Sequence, residues 1–293
     1  MSKELASIII GMLDLGSLYA LVGIGFVILY RSTRVINFAQ GAFMLLGGDV
    51  FYTLLVDWHL AWYLALPISM VVLGIIGALT YLVFFRRLVG ADLFVLVIAT
   101  LGLNIVIVTI ATIIWGPDIR SLPEVLSLKP LFSIGNLSVA PLDVFSIGLA
   151  AIVIVLLERL LQRTRLGIEM RAVADGPLLA GQIRISVHAI SAIAWGIAAL
   201  CAGAAGAMYS LRVALDPAGI PALGLLAFPA LFLGGVDSIR GALVGGFVLA
   251  LVQNATTFYV GGLWSDVVPY AVLLVVLLVR PRGIFGSREI VRL

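Results

Sequence analysis

Two amide side chains follow a pair of arginines near the start of the chain. Arg31 and Arg34 lead directly to Asn37 and Gln40, and long apolar runs flank this segment on both sides. An amide at membrane depth is unfavourable unless it finds hydrogen-bond partners. Asn37 and Gln40 therefore either line a polar path or bond to a neighbouring helix, and the residue types leave both possibilities open. Asn104, in a later apolar run, poses the same question.

Two carboxylates, Asp14 and Asp49, also lie inside apolar runs. A carrier driven by protons or ions commonly uses buried carboxylates within its spans, so a mechanism of that kind would depend on these two residues. The alternative is structural. The carboxylates would then face the interior of the bundle, form local hydrogen bonds or lie near a membrane interface.

Other kinds of chemistry lack the residues they need. A P-loop requires a lysine directly after glycine, but Lys3 and Lys129 follow serine and leucine. His59 and His188 are expected on opposite sides of a membrane, so no metal site is predicted. The single cysteine, Cys201, excludes an intrachain disulfide and is interpreted as a small packing residue. No catalytic residue and no cofactor are predicted for this chain, which we do not expect to be an enzyme.

The composition identifies the elements that position these residues. Of the 293 residues, 62% are hydrophobic and 11% are charged. A typical soluble domain has about 45–50% apolar and about 25% charged residues. Because a folded core of this size could not bury so many apolar side chains, the excess must face lipid. One membrane helix takes about 20 apolar residues, so the sequence allows about 8–10 spans.

The apolar runs are continuous, which predicts helices and excludes the alternating segments of a β-barrel. They fall near 7–29, 38–56, 61–85, 91–115, 142–157, 190–211, 218–235, 241–260 and 266–279. The runs at 38–56 and 218–235 are rich in Gly or Pro and are predicted to be broken or re-entrant. The predicted fold is all-α, a polytopic transmembrane bundle forming one domain over residues 1–293.

The basic residues are distributed unevenly between the two sets of alternating loops. Fourteen of the 18 Lys and Arg residues fall in one set: Arg31, Arg34, Arg86, Arg87, Arg159, Arg163, Arg165, Arg171, Arg184, Arg240, Arg280, Arg282, Arg288 and Arg292. The other set carries Lys3, Arg120, Lys129 and Arg212. The positive-inside rule assigns the first set to the cytoplasm. An odd number of crossings follows, with the N-terminus outside and the C-terminus in the cytoplasm. If one of the Gly-rich runs only dips into the membrane, the count changes and the N-terminus lies on the other side.

Two loops are long enough to contact other proteins. The loop at 116–141 is predicted to lie outside as a short ordered loop or a surface helix. The loop at 158–189 is predicted to lie in the cytoplasm and is the most charged stretch of the chain. Because it mixes Arg, Glu and Asp with Leu, Ile and Met, we expect short amphipathic helices there.

Four segments resemble the branched-chain amino-acid (LIV-type) ABC transporter permeases. The first joins Leu15-Gly-Ser-Leu-Tyr-Ala-Leu-Val-Gly-Ile-Gly-Phe to Arg34-Val-Ile-Asn-Phe-Ala-Gln-Gly. The second, Gly167-Ile-Glu-Met-Arg-Ala-Val-Ala-Asp, is similar to the loop by which these permeases engage their ATPases. The third is Phe228-Pro-Ala-Leu-Phe-Leu-Gly-Gly-Val-Asp-Ser-Ile-Arg-Gly-Ala, and the fourth is Leu278-Val-Arg-Pro-Arg-Gly-Ile-Phe-Gly. These segments keep the order of the family and extend over essentially the whole chain.

The resemblance implies a set of partners. Permeases of this kind work with a second, similar permease, with two ATP-binding subunits that hold ATP and Mg, and with an external substrate-binding protein. The resemblance therefore implies the ABC importer permease type of fold, in contact with lipid and with no nucleic acid, in a bacterial inner membrane. Three residues depart from the family pattern: Gln40 stands where His is usual, Ala42 where an acid is frequent, and Arg184 where Gly is common.

The resemblance also assigns the ATPase contact to the cytoplasmic loop. The residues concerned are Gly167, Glu169, Met170, Arg171, Ala172, Asp175, Leu178 and Leu179. The apolar ones, Met170, Leu178 and Leu179, are expected to insert into a cleft of the ATPase. The charged ones are expected to pair at its rim, the alternative being that they only solvate a surface loop.

The predicted function is ATP-driven import of a small polar or amphipathic solute. Asn37 and Gln40 are expected to line its path, with Asn104 as a further candidate. The low density of fixed charge in this segment suits a neutral, zwitterionic or partly apolar solute. The resemblance implies a branched-chain amino acid or a related amide, urea or aromatic acid. Two other functions remain open from the sequence. One is a stand-alone secondary carrier or channel that uses Asp14 and Asp49, and the other is a membrane scaffold without transport activity.

Overall fold

A computed structural model describes residues 3–125, 131–134, 137–280 and 283–285. The helices are α1 (Lys3–Thr33), α2 (Gln40–Tyr52), α3 (Trp62–Val83), α4 (Leu93–Trp115), α5 (Pro141–Arg163), α6 (Arg165–Asp175), α7 (Pro177–Gln182), α8 (Val187–Ser210), α9 (Gly219–Gly234), α10 (Ile239–Tyr259) and α11 (Val267–Val279). A π-helical turn over Thr53–Asp57 extends α2. Short 3-10 turns occupy Phe85–Leu88 and Gly262–Trp264.

Seven helical segments within the described ranges are long and apolar enough to cross a membrane. They comprise α1, α3, α4, α5, α8, α10 and the segment that contains α11. The two remaining apolar helices, α2 and α9, are shorter, with 13 and 16 residues. These are the two runs whose Gly and Pro content predicts broken or re-entrant helices. Together the nine elements account for the nine apolar runs, which confirms the predicted membrane bundle.

A small antiparallel hairpin lies within the loop at 116–141. Strand β1 (Phe132–Ile134) pairs with β2 (Leu137–Val139), with Phe132 opposite Val139. Of the two alternatives, this part of the loop is an ordered loop and not a surface helix. Aromatic and β-branched residues alternate with serine here, and this pattern favours strands over helix.

Small residues allow α2 and α8 to pack closely at the centre of the bundle. Eleven of the 13 residues of α2 and 17 of the 24 residues of α8 are buried. A Cβ at Gly47 of α2 would collide with the backbone of Gly203 in α8, and a Cβ at Gly206 would collide with the carbonyl of Met44. Glycine at these positions therefore lets the two backbones approach within van der Waals contact.

The peripheral helices expose apolar side chains. Ile113 of α4 and Leu278 at the end of α11 are 76% and 86% exposed. Such faces suit contact with lipid or with another membrane subunit, because water would disfavour an apolar surface of this extent. The buried helices α1, α2 and α8 thus form an inner layer, and α4 and α11 lie outside it.

The charged side chains mark two ends of the bundle. At one end, Arg34 after α1 pairs with Asp175 of α6, and Arg240 of α10 pairs with Glu158 of α5. We call this the arginine-rich end. At the opposite end, Arg120 and Arg212 pair with acids at the outer parts of α1, α2 and α5. The four basic residues of the charge pattern that lie outside the described residues are Lys129, Arg282, Arg288 and Arg292.

Candidate functional site

Asn37 and Gln40 lie at the junction between α1 and α2, where the chain turns to begin the second helix. Asn37 Oδ1 accepts a hydrogen bond from the Ala39 backbone at 3.0 Å, and Asn37 Nδ2 donates to Gln40 Oε1 at 3.3 Å. Gln40 Nε2 donates to the Ala198 carbonyl of α8 at 2.9 Å. Both side chains are buried. In this conformation they form a small polar network that joins the junction to α8.

Asn104 does not take part in that network. It lies on α4, which packs against α2 but is largely exposed along its outer face. Its Oδ1 is buried without a hydrogen-bond partner among the described residues. The structure therefore brings Asn37 and Gln40 together and leaves Asn104 as a separate buried acceptor on a peripheral helix.

The segment predicted as the coupling loop folds into the amphipathic helix α6 and the short helix α7. Thr164 caps α6 by accepting a hydrogen bond from the Gly167 backbone at 3.4 Å. The buried face of α6 carries Gly167, Met170 and Val173, a spacing of three residues that places them on one side of the helix. A Cβ at Gly167 would collide with the Leu161 carbonyl, so only glycine permits the sharp corner between α5 and α6.

Met170 does not lie where the sequence interpretation placed it. Its side chain is only 1% exposed and packs in the main hydrophobic core. The expectation that it inserts into a partner is therefore wrong for this conformation. The sequence shows that α6 is amphipathic, but the choice of inward face depends on packing against α1 and α5.

The charged residues of α6 are engaged within the chain. Arg171 Nη1 donates to the Leu161 carbonyl at 3.2 Å, which braces α6 against the end of α5. Asp175 lies 3.4 Å from Arg34, which links the end of α6 to the end of α1. Glu169 and Ala172 are half-buried beside them. These contacts connect α6 to the junction that carries Asn37 and Gln40.

Leu178 and Leu179 of α7 project from the arginine-rich end, and their contact with a partner stays a prediction. They are 84% and 68% exposed. Ile168 and Ile183, which the sequence interpretation did not select, are exposed to a similar degree. The α6–α7 surface, defined here as Ile168, Leu178, Leu179 and Ile183, is an apolar patch outside the spans. In the sequence, the exposed surface could have been extended by including Ile168 and Ile183, which lie before and after Leu178 and Leu179.

Arg184, which departs from the pattern that the resemblance implies, adopts a backbone conformation that favours glycine. Its backbone φ is +64°, in the left-handed region that favours glycine. Glycine is the residue expected there from the resemblance, and arginine adopts the same conformation at a cost of about 1–2 kcal/mol. The loop therefore keeps its course despite the substitution.

The two carboxylates considered for ion coupling are both paired with arginine. Asp49 Oδ1 lies 2.6 Å from Arg120 Nη2, and Asp14 Oδ2 lies 2.9 Å from Arg212 Nε. Arg212 also pairs with Asp143 of α5. These contacts favour the structural alternative for Asp14 and Asp49. The sequence interpretation missed both arginines as partners, although they are two of the four basic residues assigned to that side.

The Asp49 pair closes the end of the bundle. Arg120 and Leu215 form a two-way backbone bridge, with N–O distances of 3.0 and 2.7 Å. The Arg120 guanidinium also stacks over the Tyr52 ring at 5.2 Å. Through these contacts, the loop after α4 and the loop after α8 are both fastened to α2. Within the described ranges, no group of three His, Cys, Asp or Glu side chains is placed to hold a metal ion.

Comparison with known proteins places the chain in a family. The model of the family described as "Branched-chain amino acid transport system / permease component" matches residues 8–277. A probable branched-chain amino acid transport permease protein LivH from Methanocaldococcus jannaschii is 29% identical, covering 94% of this chain and 91% of that protein.

Two further relatives are of similar length. The high-affinity branched-chain amino acid transport system permease protein BraD of Pseudomonas aeruginosa is 28% identical, over 95% of this chain and 94% of its own. The corresponding permease LivH of Escherichia coli is 27% identical, over 94% of each chain. The solved structure of PsaBC from Streptococcus pneumoniae in complex with Fab has a TM-score of 0.48 and 14% identity, over 94% of this chain and 91% of its own. The chain belongs to the family of permease components of branched-chain amino acid transport systems.

Proposed function

We propose that the chain is the membrane-spanning permease subunit of an ATP-driven importer. Its substrate is a small polar or amphipathic solute, either a branched-chain amino acid or a related amide, urea or aromatic acid. An external binding protein delivers this solute, and two ATP-binding subunits supply the energy. The chain lies in a bacterial inner membrane with its arginine-rich end and C-terminus in the cytoplasm.

The observation that carries this proposal is the exposed α6–α7 surface together with its internal contacts. Leu178 and Leu179 are exposed on α7, which is not one of the helices long enough to cross a membrane. Burying each side chain against a partner would contribute about 1.5–3 kcal/mol of binding free energy. The same unit packs against α1 and α5 through the buried face of α6, and Asp175 adds an exposed pair with Arg34. A push on α7 would therefore move the end of α1 and the α1–α2 junction.

In this proposal, Arg171 positions α6 and Glu169 pairs at the rim of the ATPase contact. Arg171 donates to the end of α5, and Asp175 lies beside Arg34 in an exposed pair at the end of α1. Met170 and Gly167 anchor the buried face, while Ala172 lies beside them. The apolar contact with the ATPase is left to Leu178 and Leu179. The sequence interpretation assigned all of these loop residues to the contact with the ATPase, whereas this proposal assigns some of them to packing within the chain.

We place the solute path beside the α1–α2 junction, near Asn37 and Gln40, with Asn104 as a further contact. In the described conformation, Asn37 and Gln40 are hydrogen-bonded to each other, and Gln40 is also hydrogen-bonded to the Ala198 carbonyl. A path there requires the junction to open during the transport cycle, in keeping with rocking of rigid helices about a fixed site. A second homologous permease completes the path from the other side.

Substitution of the two exposed leucines tests the contact with the ATP-binding subunits. Leu178→Glu combined with Leu179→Glu is expected to abolish co-purification of those subunits and ATP-driven uptake, because the charges cannot enter an apolar cleft. Leu131→Glu is the matched control, since Leu131 is 60% exposed in the loop of the opposite end. Normal co-purification by the double variant would contradict the proposal.

A further inference from the structure

A cavity of about 430 Å³ lies at the arginine-rich end, in the size range of small-molecule sites. The end of α1, the turn after α3, the start of α4, the α6–α7 unit and the start of α8 surround it. Phe85, Trp195, Leu96 and Val173 give it an apolar lining. Phe85 and Trp195 stack with ring centroids 4.2 Å apart and form one continuous aromatic wall.

The lining of this cavity carries a positive charge. Among its described lining residues, Arg34 is the single charged side chain, and its guanidinium remains 45% exposed. Its contact with Asp175 is long, at 3.4 Å, and Asp175 is itself 76% exposed. An exposed pair of this kind contributes little free energy, so another anion can take the place of Asp175.

Trp195 contributes an unused hydrogen-bond donor. The residue is 1% exposed, and its indole N–H has no partner within the described part of the chain. A buried donor without an acceptor is unusual in a folded protein and calls for a ligand or a water. A carboxylate brings two oxygens, so it offers acceptors to both a guanidinium and an indole N–H.

We propose that this cavity binds an apolar monocarboxylate, with the carboxylate on Arg34 and the apolar body against Phe85 and Trp195. A zwitterion fits less well, because the described lining offers no acidic partner for an ammonium group. The bound carboxylate competes with Asp175 for Arg34. Binding therefore loosens the link between α1 and α6.

Binding at this site does not depend on the proposed import function. Only the expected effect of binding on transport rests on that function. If α6 transmits motion from ATP-binding subunits, a carboxylate on Arg34 slows transport from the cytoplasmic side. A failure of import in the double leucine variant leaves the binding measurement below unaffected. The two proposals can thus fail separately.

Binding of radiolabelled 4-methylpentanoate to the full chain in nanodiscs tests the site. We expect saturable binding, and about tenfold weaker affinity in Arg34→Gln because a charge-assisted hydrogen bond is lost. Asp175→Asn removes the competing anion and should bind about twofold to fivefold more tightly. Arg240→Gln is the matched control, since Arg240 is also an exposed arginine in an ion pair, with Glu158, outside this lining.

Competition experiments identify the source of the ligand. Displacement of the label by excess short acids and not by oleate assigns the site to water-soluble carboxylates. Displacement by oleate assigns it to a membrane fatty acid of the same chemistry, and both outcomes support the site if they depend on Arg34. Absence of saturable binding, or an Asp175→Asn variant that binds no more tightly than the unaltered chain, would overturn the proposal.

Discussion

The ion pair between Arg120 and Asp49 offers the sharpest test of how the bundle is closed at the end opposite the arginine-rich one. Asp49 has a side chain that is 1% exposed, and its Oδ1 lies 2.6 Å from Arg120 Nη2. Its other oxygen is buried without a partner among the described residues. Arg120→Gln would therefore leave a buried carboxylate with no cation. Loss of one partner from a buried pair lowers the free energy of unfolding by about 3–5 kcal/mol.

A double variant separates the pair from the packing around it. In Asp49→Asn combined with Arg120→Gln, no uncompensated charge remains, and amides occupy both positions. We expect this variant to recover most of the stability lost in Arg120→Gln. Asp49→Asn alone should also lower the free energy of unfolding, because Arg120 Nε and Nη1 are already buried without a partner among the described residues and the guanidinium would keep only its contact with Tyr52.

Thermal unfolding of the purified chain in detergent, followed by size-exclusion chromatography, measures these differences. Arg87→Gln is the control, because Arg87 is exposed at the other end and such surface substitutions stay within about 0.5 kcal/mol. If Arg120→Gln unfolds at the same temperature as Arg87→Gln, the pair does not hold the loops to α2. A double variant with the summed loss of both single variants would likewise refute the reasoning.

Three further sets of substitutions test the junctions at the arginine-rich end. Gly167→Ala places a Cβ against the Leu161 carbonyl and should lower the free energy of unfolding by about 1–3 kcal/mol, whereas Gly181→Ala, with open space around it, should be neutral in the same thermal assay. Arg184→Gly relieves a left-handed backbone and should raise the free energy of unfolding by about 0.5–1 kcal/mol, while Arg184→Ala keeps a Cβ and should not. Asn37→Ala and Gln40→Ala should each lower the free energy of unfolding by about 1–3 kcal/mol and also raise the KM for uptake; a loss of stability with unchanged uptake kinetics contradicts a path beside these amides.

The helices of the fold could be predicted because the pattern of residues within each segment determines them. Continuous apolar runs specify membrane helices, and the runs at 38–56 and 218–235, rich in Gly or Pro, form the two shorter helices α2 and α9, whose re-entrant course stays a prediction. The mixture of charged and apolar residues at 158–189 likewise predicts the amphipathic helix α6. Each of these signals depends only on residues close together in the chain.

The contacts between distant segments could not be predicted in the same way. Arg120 is 71 residues from Asp49, and no spacing rule links the two. The inward face of α6 is set by α1 and α5, which is why Met170 proved to be an anchor and not a contact for a partner. Amide side chains such as Asn37 are compatible with packing or with a polar path, and only the surrounding helices show which bonds they make.

ATP-driven uptake by the chain with and without its partners tests the central claim most directly. The tagged chain is purified from native membranes with its associated subunits and reconstituted in proteoliposomes with the external binding protein and labelled leucine or the solute that this protein binds. Our account predicts uptake that requires ATP and the associated ATP-binding subunits, with none by the chain alone under a proton or sodium gradient. Gradient-driven uptake by the chain alone would contradict it and would favour a stand-alone carrier.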